Sequence, residues 1–75
     1  MTNKKIKWNY TSLKTLINDN FKSLDDFISK LGVMSKQKFM DSITNKRDFT
    51  RDEMLAIKNL LNIRNIENYF FVKED

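Results

Sequence analysis

Polar and basic side chains cluster between positions 35 and 47 of this 75-residue sequence, and their types are those that contact nucleic acids. A carboxamide such as that of Gln37 can form two hydrogen bonds with adenine N6 and N7 in a major groove. Lys46 and Arg47 carry the charge that a phosphate backbone requires, as does Lys22 outside the cluster. The residues that we predict to bind DNA or a protein partner are Ser35, Lys36, Gln37, Lys38, Met40, Asp41, Thr44, Lys46 and Arg47.

Side chains for catalysis are scarce. The sequence contains no histidine and no cysteine, so the commonest general base, the thiol nucleophile and most metal ligands are missing. The acidic pairs at 25–26 and 52–53 each fall in the first turn of a predicted helix, where the helix dipole favours negative charge. A phosphate-binding loop needs several glycines, and the sequence has one. We therefore expect no enzymatic activity, no metal site and no cofactor.

The positive charge is unevenly distributed along the chain. The net charge is +4, and residues 1–35 carry six lysines against three acidic residues. Residues 36–51 carry five basic residues against two acidic ones, whereas 52–75 carry three against five. The basic excess thus lies on the amino-terminal arm and around the polar cluster, as expected for parts that face phosphate.

Apolar runs are short. None exceeds four residues, which excludes a membrane span and the apolar core of a signal peptide. We therefore expect a cytoplasmic protein without a membrane partner.

Two short helices joined by a tight turn are predicted to position the polar cluster. Ser23 can cap the first helix, with Asp26 three residues later, and apolar residues then recur at helical spacing. Gly32, the only glycine, can end that helix in a left-handed conformation. Ser35 can cap the second helix, in which Phe39 faces inward. This is the helix-turn-helix arrangement, whose second helix can enter a DNA major groove, although any small helical bundle can contain such a corner.

The other segments predict an all-α, compact domain of four to five helices. A first helix covers 11–20, and a capping box at Thr50 to Glu53 begins a fourth helix that runs to about residue 61. Asn65 could cap a last short turn, and 69–72 could be extended.

Domain boundaries follow from the same patterns. We place a flexible basic arm at 1–8, the helix-turn-helix domain at 9–72 and a tail at 73–75. Trp8 and Tyr10 are expected to pack onto the domain, because so small a protein needs its large aromatic residues for the core.

Several motifs occur in a characteristic order. They are Tyr10-x-x-Leu13-x-x-x-Ile17, FISKLGV at 27–33, Ser35 with Phe39 and Ile43, NKRDFTRDEMLAIKNLLNI at 45–63, and IENYFF at 66–71. In these motifs the sequence resembles the lambda-repressor-like (Cro/CI-type) helix-turn-helix proteins. More narrowly, it is similar to small phage and prophage regulators from low-GC Gram-positive bacteria. The likeness covers about residues 9–72. It implies a five-helix domain that binds operator DNA, often as a dimer, in the choice between lysis and lysogeny.

Two functions are compatible with this pattern. The first is a Cro-like transcriptional regulator that binds double-stranded operator DNA. The alternative is an antirepressor, which keeps the helix-turn-helix fold but binds and inactivates a CI-type repressor. Met34, Met40 and Asp41 fit the alternative, because thioethers adapt to a partner's surface and a carboxylate can meet its DNA-reading lysine or arginine. The domain could act as a homodimer or a heterodimer, with 69–72 either covering the core or forming the interface.

Overall fold

The computed structural model describes residues 7–74, and helices account for most of this range. Within it, the pairing of Trp8 with Lys73 is an isolated antiparallel bridge and no strand forms. The prediction of a compact all-α domain is confirmed. Residues 1–6 of the predicted arm and Asp75 of the predicted tail lie outside the described residues. The helices are α1 (Thr11–Asn20), α2 (Leu24–Leu31), α3 (Lys36–Ile43), α4 (Arg51–Leu61) and α5 (Glu67–Phe70).

The helix starts follow the predicted capping residues. The hydroxyls of Ser23 and Ser35 each accept a hydrogen bond of 3.1 Å from the backbone N–H three residues later. Thr50 and Glu53 form the complete capping box at the start of α4. Gly32 ends α2 with φ of 71°, a left-handed conformation that glycine adopts without strain. The sequence therefore encodes these helix boundaries locally.

Aromatic rings form the centre of the domain. The ring of Phe39 lies 5.4 Å from that of Phe27 and 5.9 Å from that of Phe49. The ring of Phe49 in turn lies 5.5 Å from Tyr10 and 5.2 Å from Phe70. Most of these pairs are edge-to-face, the arrangement that aromatic quadrupoles favour. The inner side of α3 is thus held in the core through Phe39, which determines which side of α3 faces outward.

The two chain ends are joined to each other. Besides the bridge from Trp8 to Lys73, the amide of Glu74 donates to the carbonyl of Lys7 over 3.0 Å. The ring of Trp8 packs edge-on against that of Phe71 at 5.5 Å, so Trp8 contacts the domain as expected. Lys7 and Trp8 of the predicted arm are therefore paired with Lys73 and Glu74 of the predicted tail.

The last helix differs from the prediction in two respects. Asn65 does not cap it: α5 begins after Ile66, without a side-chain cap, and the carbonyl of Asn65 accepts from the amide of Asn68. The segment 69–72 is not extended throughout, because its first two residues belong to α5 and donate to the carbonyl of Ile66. Phe70 is buried and covers the core, whereas the next two residues remain partly exposed. No helix in the described range is long and apolar enough to span a membrane.

Candidate functional site

Helix α3 divides into a buried and an exposed row, as its sequence predicts. Phe39 is fully buried and Ile43 is half-buried, as predicted, and Ser42, which was not predicted to face inward, is fully buried as well. The other row is exposed except for Asp41, which is half-buried. We call this row the α3 outer face; it consists of Lys36, Gln37, Lys38, Met40, Asp41 and Thr44. It is flanked by Ser35, which caps the helix, and by the exposed Lys46.

Some polar side chains of the α3 outer face are paired, either within the face or with α2. The Gln37 amide donates to Asp41 Oδ1 over 3.0 Å, so one donor of the carboxamide is already engaged. Lys36 Nζ lies 3.1 Å from Asp25 Oδ1 at the start of α2, and the Asp25 side chain is 75% exposed. The surface that the sequence predicts to contact phosphate therefore includes two carboxylates as well as lysines.

An apolar cleft of about 220 Å³ opens beside the outer face. It lies between α1 and α3, next to the start of α2, and Met40 on its edge is 37% exposed. Lys14 and Asn18 of α1 also line it. The cleft could not be predicted from the sequence, because its walls come from three helices and form only when those helices pack together. Its apolar lining consists of Ile17, Leu24, Phe39, Met40 and Ile43.

Arg47 points into the domain instead of toward a partner. Its guanidinium forms two hydrogen bonds with the Glu53 carboxylate, of 3.0 and 3.2 Å, and a third with Ser42 Oγ at 2.8 Å. The side chains of Arg47 and Glu53 are 28% and 10% exposed. The structure thus separates Arg47 from the other predicted contact residues, while Lys46 and Lys22 remain exposed. The direction in which the side chain of a single basic loop residue points cannot be predicted from the sequence.

Glu53 is held in its charged form by this arrangement. Burial alone would raise its pKa, but the backbone N–H of Thr50 and the guanidinium of Arg47 favour the carboxylate more strongly. The net effect is a pKa below the ordinary value of 4.5. Glu53 therefore remains ionised at neutral pH and pairs with Arg47 as a charged group.

Met34 belongs to the core, and the expectation that it lies on the partner-binding surface is wrong. Only 8% of Met34 is exposed, because the chain after Gly32 turns back and places the thioether among buried apolar residues. Met40 on the next helix remains at the surface. Of the two methionines, only Met40 can contact a partner.

Asn45 joins the end of α3 to the amino-terminal segment. Its φ is 66°, the left-handed geometry that asparagine tolerates. Its side-chain oxygen accepts from the Trp8 amide over 2.8 Å, and its side-chain nitrogen donates to the Trp8 carbonyl over 3.0 Å. The sequence indicates the backbone geometry but not this contact, since the two residues are 37 positions apart.

Comparisons with known proteins do not indicate a function, so the function has to be inferred from the chemistry of the site. No protein-family model, curated protein or solved structure matches the chain. What the geometry provides is an exposed helix face with mixed charge, an adjoining apolar cleft, and an arginine that is bound internally. The proposal for the function of the domain is based on these three features.

Proposed function

We propose that this domain is a regulatory module that binds a protein through the α3 outer face and the adjoining cleft. The proposed partner is a DNA-binding repressor of the CI type, which the domain would inactivate by covering its basic surface. The observation that carries the proposal is the apolar cleft beside Met40. The domain would then act as an antirepressor, in a heterodimer.

The apolar character of the cleft favours a protein over DNA. Met40 and Leu24 present aliphatic surface beside the outer face, and Ile43 extends it inward. In a DNA major groove the thymine methyl groups are the main apolar contacts, whereas protein interfaces bury apolar anchor residues in such clefts. A flexible thioether at the edge can adjust to the side chain that enters.

The charges of the outer face point in the same direction. Asp25 and Asp41 would lie close to phosphates if α3 entered a major groove, and this proximity is repulsive. Against a repressor, the same carboxylates would meet the lysine or arginine side chains with which the repressor reads DNA.

The contacts of Arg47 also weaken the case for phosphate binding. Three of the five N–H donors of Arg47 are engaged inside the domain, and turning the guanidinium toward a phosphate would break its contacts with the Glu53 carboxylate, which is 10% exposed. Removing one member of such a pair leaves the other as an uncompensated, desolvated charge. Phosphate binding by Arg47 would therefore start with an energetic cost.

Operator DNA is the second candidate partner, and the lysines favour it. Lys36 and Lys38 are exposed at the capped start of α3, Lys46 is exposed beyond the end of that helix, and the chain has a net charge of +4. Gln37 keeps one amide hydrogen and its carbonyl oxygen for an adenine. Because one domain of this size covers little DNA, this function would require a homodimer on paired half-sites or a cooperating repressor.

A mobility-shift titration distinguishes the two candidates. The DNA is the intergenic segment beside the gene, used with and without a CI-type repressor that binds it. We expect the protein alone to leave the DNA unshifted and to release the DNA from the repressor. Binding by the protein alone, with affinity that falls steeply as salt increases, would contradict the proposal in favour of operator binding. In that case Gln37→Ala should relax the preference at one base pair.

A further inference from the structure

We propose that Arg47 is a positioning residue, which fixes the carboxy-terminal end of α3 to the start of α4 and thereby sets the orientation of the α3 outer face. The orientation matters for binding only if the proposed function holds. The attachment itself is a property of the free domain and can be measured without a partner.

The guanidinium of Arg47 joins two helices. It donates to Ser42 Oγ in the last turn of α3 and, as a two-pronged fork, to both carboxylate oxygens of Glu53 in the first turn of α4. Ser42 is fully buried, and its hydroxyl donates to the carbonyl of Lys38 one turn earlier, over 3.0 Å. Charge-assisted, two-pronged contacts of this kind fix geometry as well as adding free energy.

Glu53 has two roles at once. Besides binding Arg47, its Oε1 accepts from the backbone N–H of Thr50 over 2.9 Å, and its own N–H donates to Thr50 Oγ1 over 3.2 Å. The carboxylate that caps α4 is therefore also the group that holds the end of α3. A movement of α3 relative to α4 would disturb both interactions.

The backbone of Arg47 connects the attachment to the outer face. The amides of Lys46 and Arg47 both donate to the carbonyl of Asp41, over 2.8 and 3.3 Å. The side chain of Asp41 in turn accepts from Gln37. Displacing Arg47 would therefore move the residues that the outer face presents to a partner.

Two kinds of variant separate positioning from direct contact with a partner or phosphate. Arg47→Lys keeps the charge, which is enough for a phosphate contact, but loses the fork that binds Ser42 and Glu53 together. Glu53→Gln removes the charge that Arg47 needs, while glutamine at this position still supports a capping box. Arg47→Met and the double variant Arg47→Met/Glu53→Gln complete the cycle.

Amide hydrogen exchange in the free protein tests the proposal. We expect Arg47→Lys and Glu53→Gln each to speed exchange at residues 40–44 roughly ten-fold more than at the amides of α1. Arg47→Met and Glu53→Gln remove the same interaction. Amide exchange at residues 40–44 in the double variant should therefore match that in the more strongly affected single variant.

Three results would overturn it. The first is exchange at residues 40–44 of Arg47→Lys that is as slow as in the unmodified protein. The second is a double variant in which the effects of the two single changes add. The third is an acceleration of exchange that is equal throughout the chain. If the unmodified protein binds neither a repressor nor DNA, the proposed function fails while the exchange result still decides this inference. If the unmodified protein does bind the repressor, Glu53→Gln should weaken that binding although residue 53 lies outside the α3 outer face.

Discussion

The two ends of α3 are held by different forces. At the amino-terminal end, Met34 is buried, Gly32 makes the turn and Ser35 provides an exposed cap. At the carboxy-terminal end, the attachment is polar: Arg47 binds the largely buried Glu53. Apolar burial does not depend on ionisation, whereas a charged pair does. The two ends should therefore respond differently to mutation, pH and salt.

The largest effect is expected at the apolar end. Met34→Ala should lower the free energy of unfolding by about 2–3 kcal/mol, because it leaves a cavity among buried side chains. The loss should be the same at acidic and neutral pH, as measured by urea denaturation. Met40→Ala is the matched control, and its exposed side chain should cost less than about 0.5 kcal/mol. Equal losses for the two methionines would show that Met34 is not a core residue.

The left-handed residues at the two ends provide the second test. Asn45→Ala should cost about 2 kcal/mol, from backbone strain plus the loss of two hydrogen bonds to Trp8. Gly32→Ala should cost about 1 kcal/mol, because a Cβ there would meet nothing within 4 Å and only the strain remains. Thermal unfolding of both variants measures the difference. A larger loss of stability in Gly32→Ala than in Asn45→Ala would contradict this prediction.

The polar end should depend on pH. Since the pKa of Glu53 is lowered on folding, the stability it contributes is present above its unfolded value of 4.5 and is lost as pH falls through the folded value. Glu53→Gln should cost about 1–2 kcal/mol at pH 7, the scale of hydrogen bonds to a charged group, and less at pH 3. Urea titrations at both pH values measure this. A loss that is independent of pH would mean that the charge of Glu53 does not hold the end of α3.

The smallest effect is expected for the exposed ion pair at the amino-terminal end. Lys36 and Asp25 are 55% and 75% exposed, so Lys36→Ala should cost at most about 0.5 kcal/mol. This small loss should disappear at about 0.5 M salt, where exposed charges are screened. Denaturation at low and high salt provides the measurement, and a loss above 1 kcal/mol that persists in salt would contradict it.

The features that could be predicted from the sequence are local ones. The caps at Ser23 and Ser35, the capping box of α4 and the turn at Gly32 each depend on residues within a few positions. The buried and exposed rows of α3 also follow from helical spacing alone. These signals were sufficient for the all-α fold and for the outer face.

The features that could not be predicted depend on contacts made in the folded chain. Nothing around Arg47 distinguishes an arginine that faces a phosphate from one that binds the largely buried Glu53. The contact between Asn45 and Trp8 joins residues 37 positions apart. From the sequence, Met34 was expected at the surface, but the turn after α2 places its side chain in the core. The sequence therefore predicted the helix that carries the candidate site. It did not predict the cleft beside that helix or the contact of Arg47 with Glu53.

The central claim is that the α3 outer face and its cleft bind a repressor protein. Calorimetric titration of the unmodified protein, Met40→Glu and Leu55→Glu into a CI-type repressor tests it most directly. Both side chains are similarly exposed, Met40 at 37% and Leu55 at 43%, but only Met40 lines the cleft. We predict that Met40→Glu weakens binding roughly a hundred-fold and that Leu55→Glu binds like the unmodified protein. Equal affinities for the two variants, or no binding by the unmodified protein, would contradict the claim.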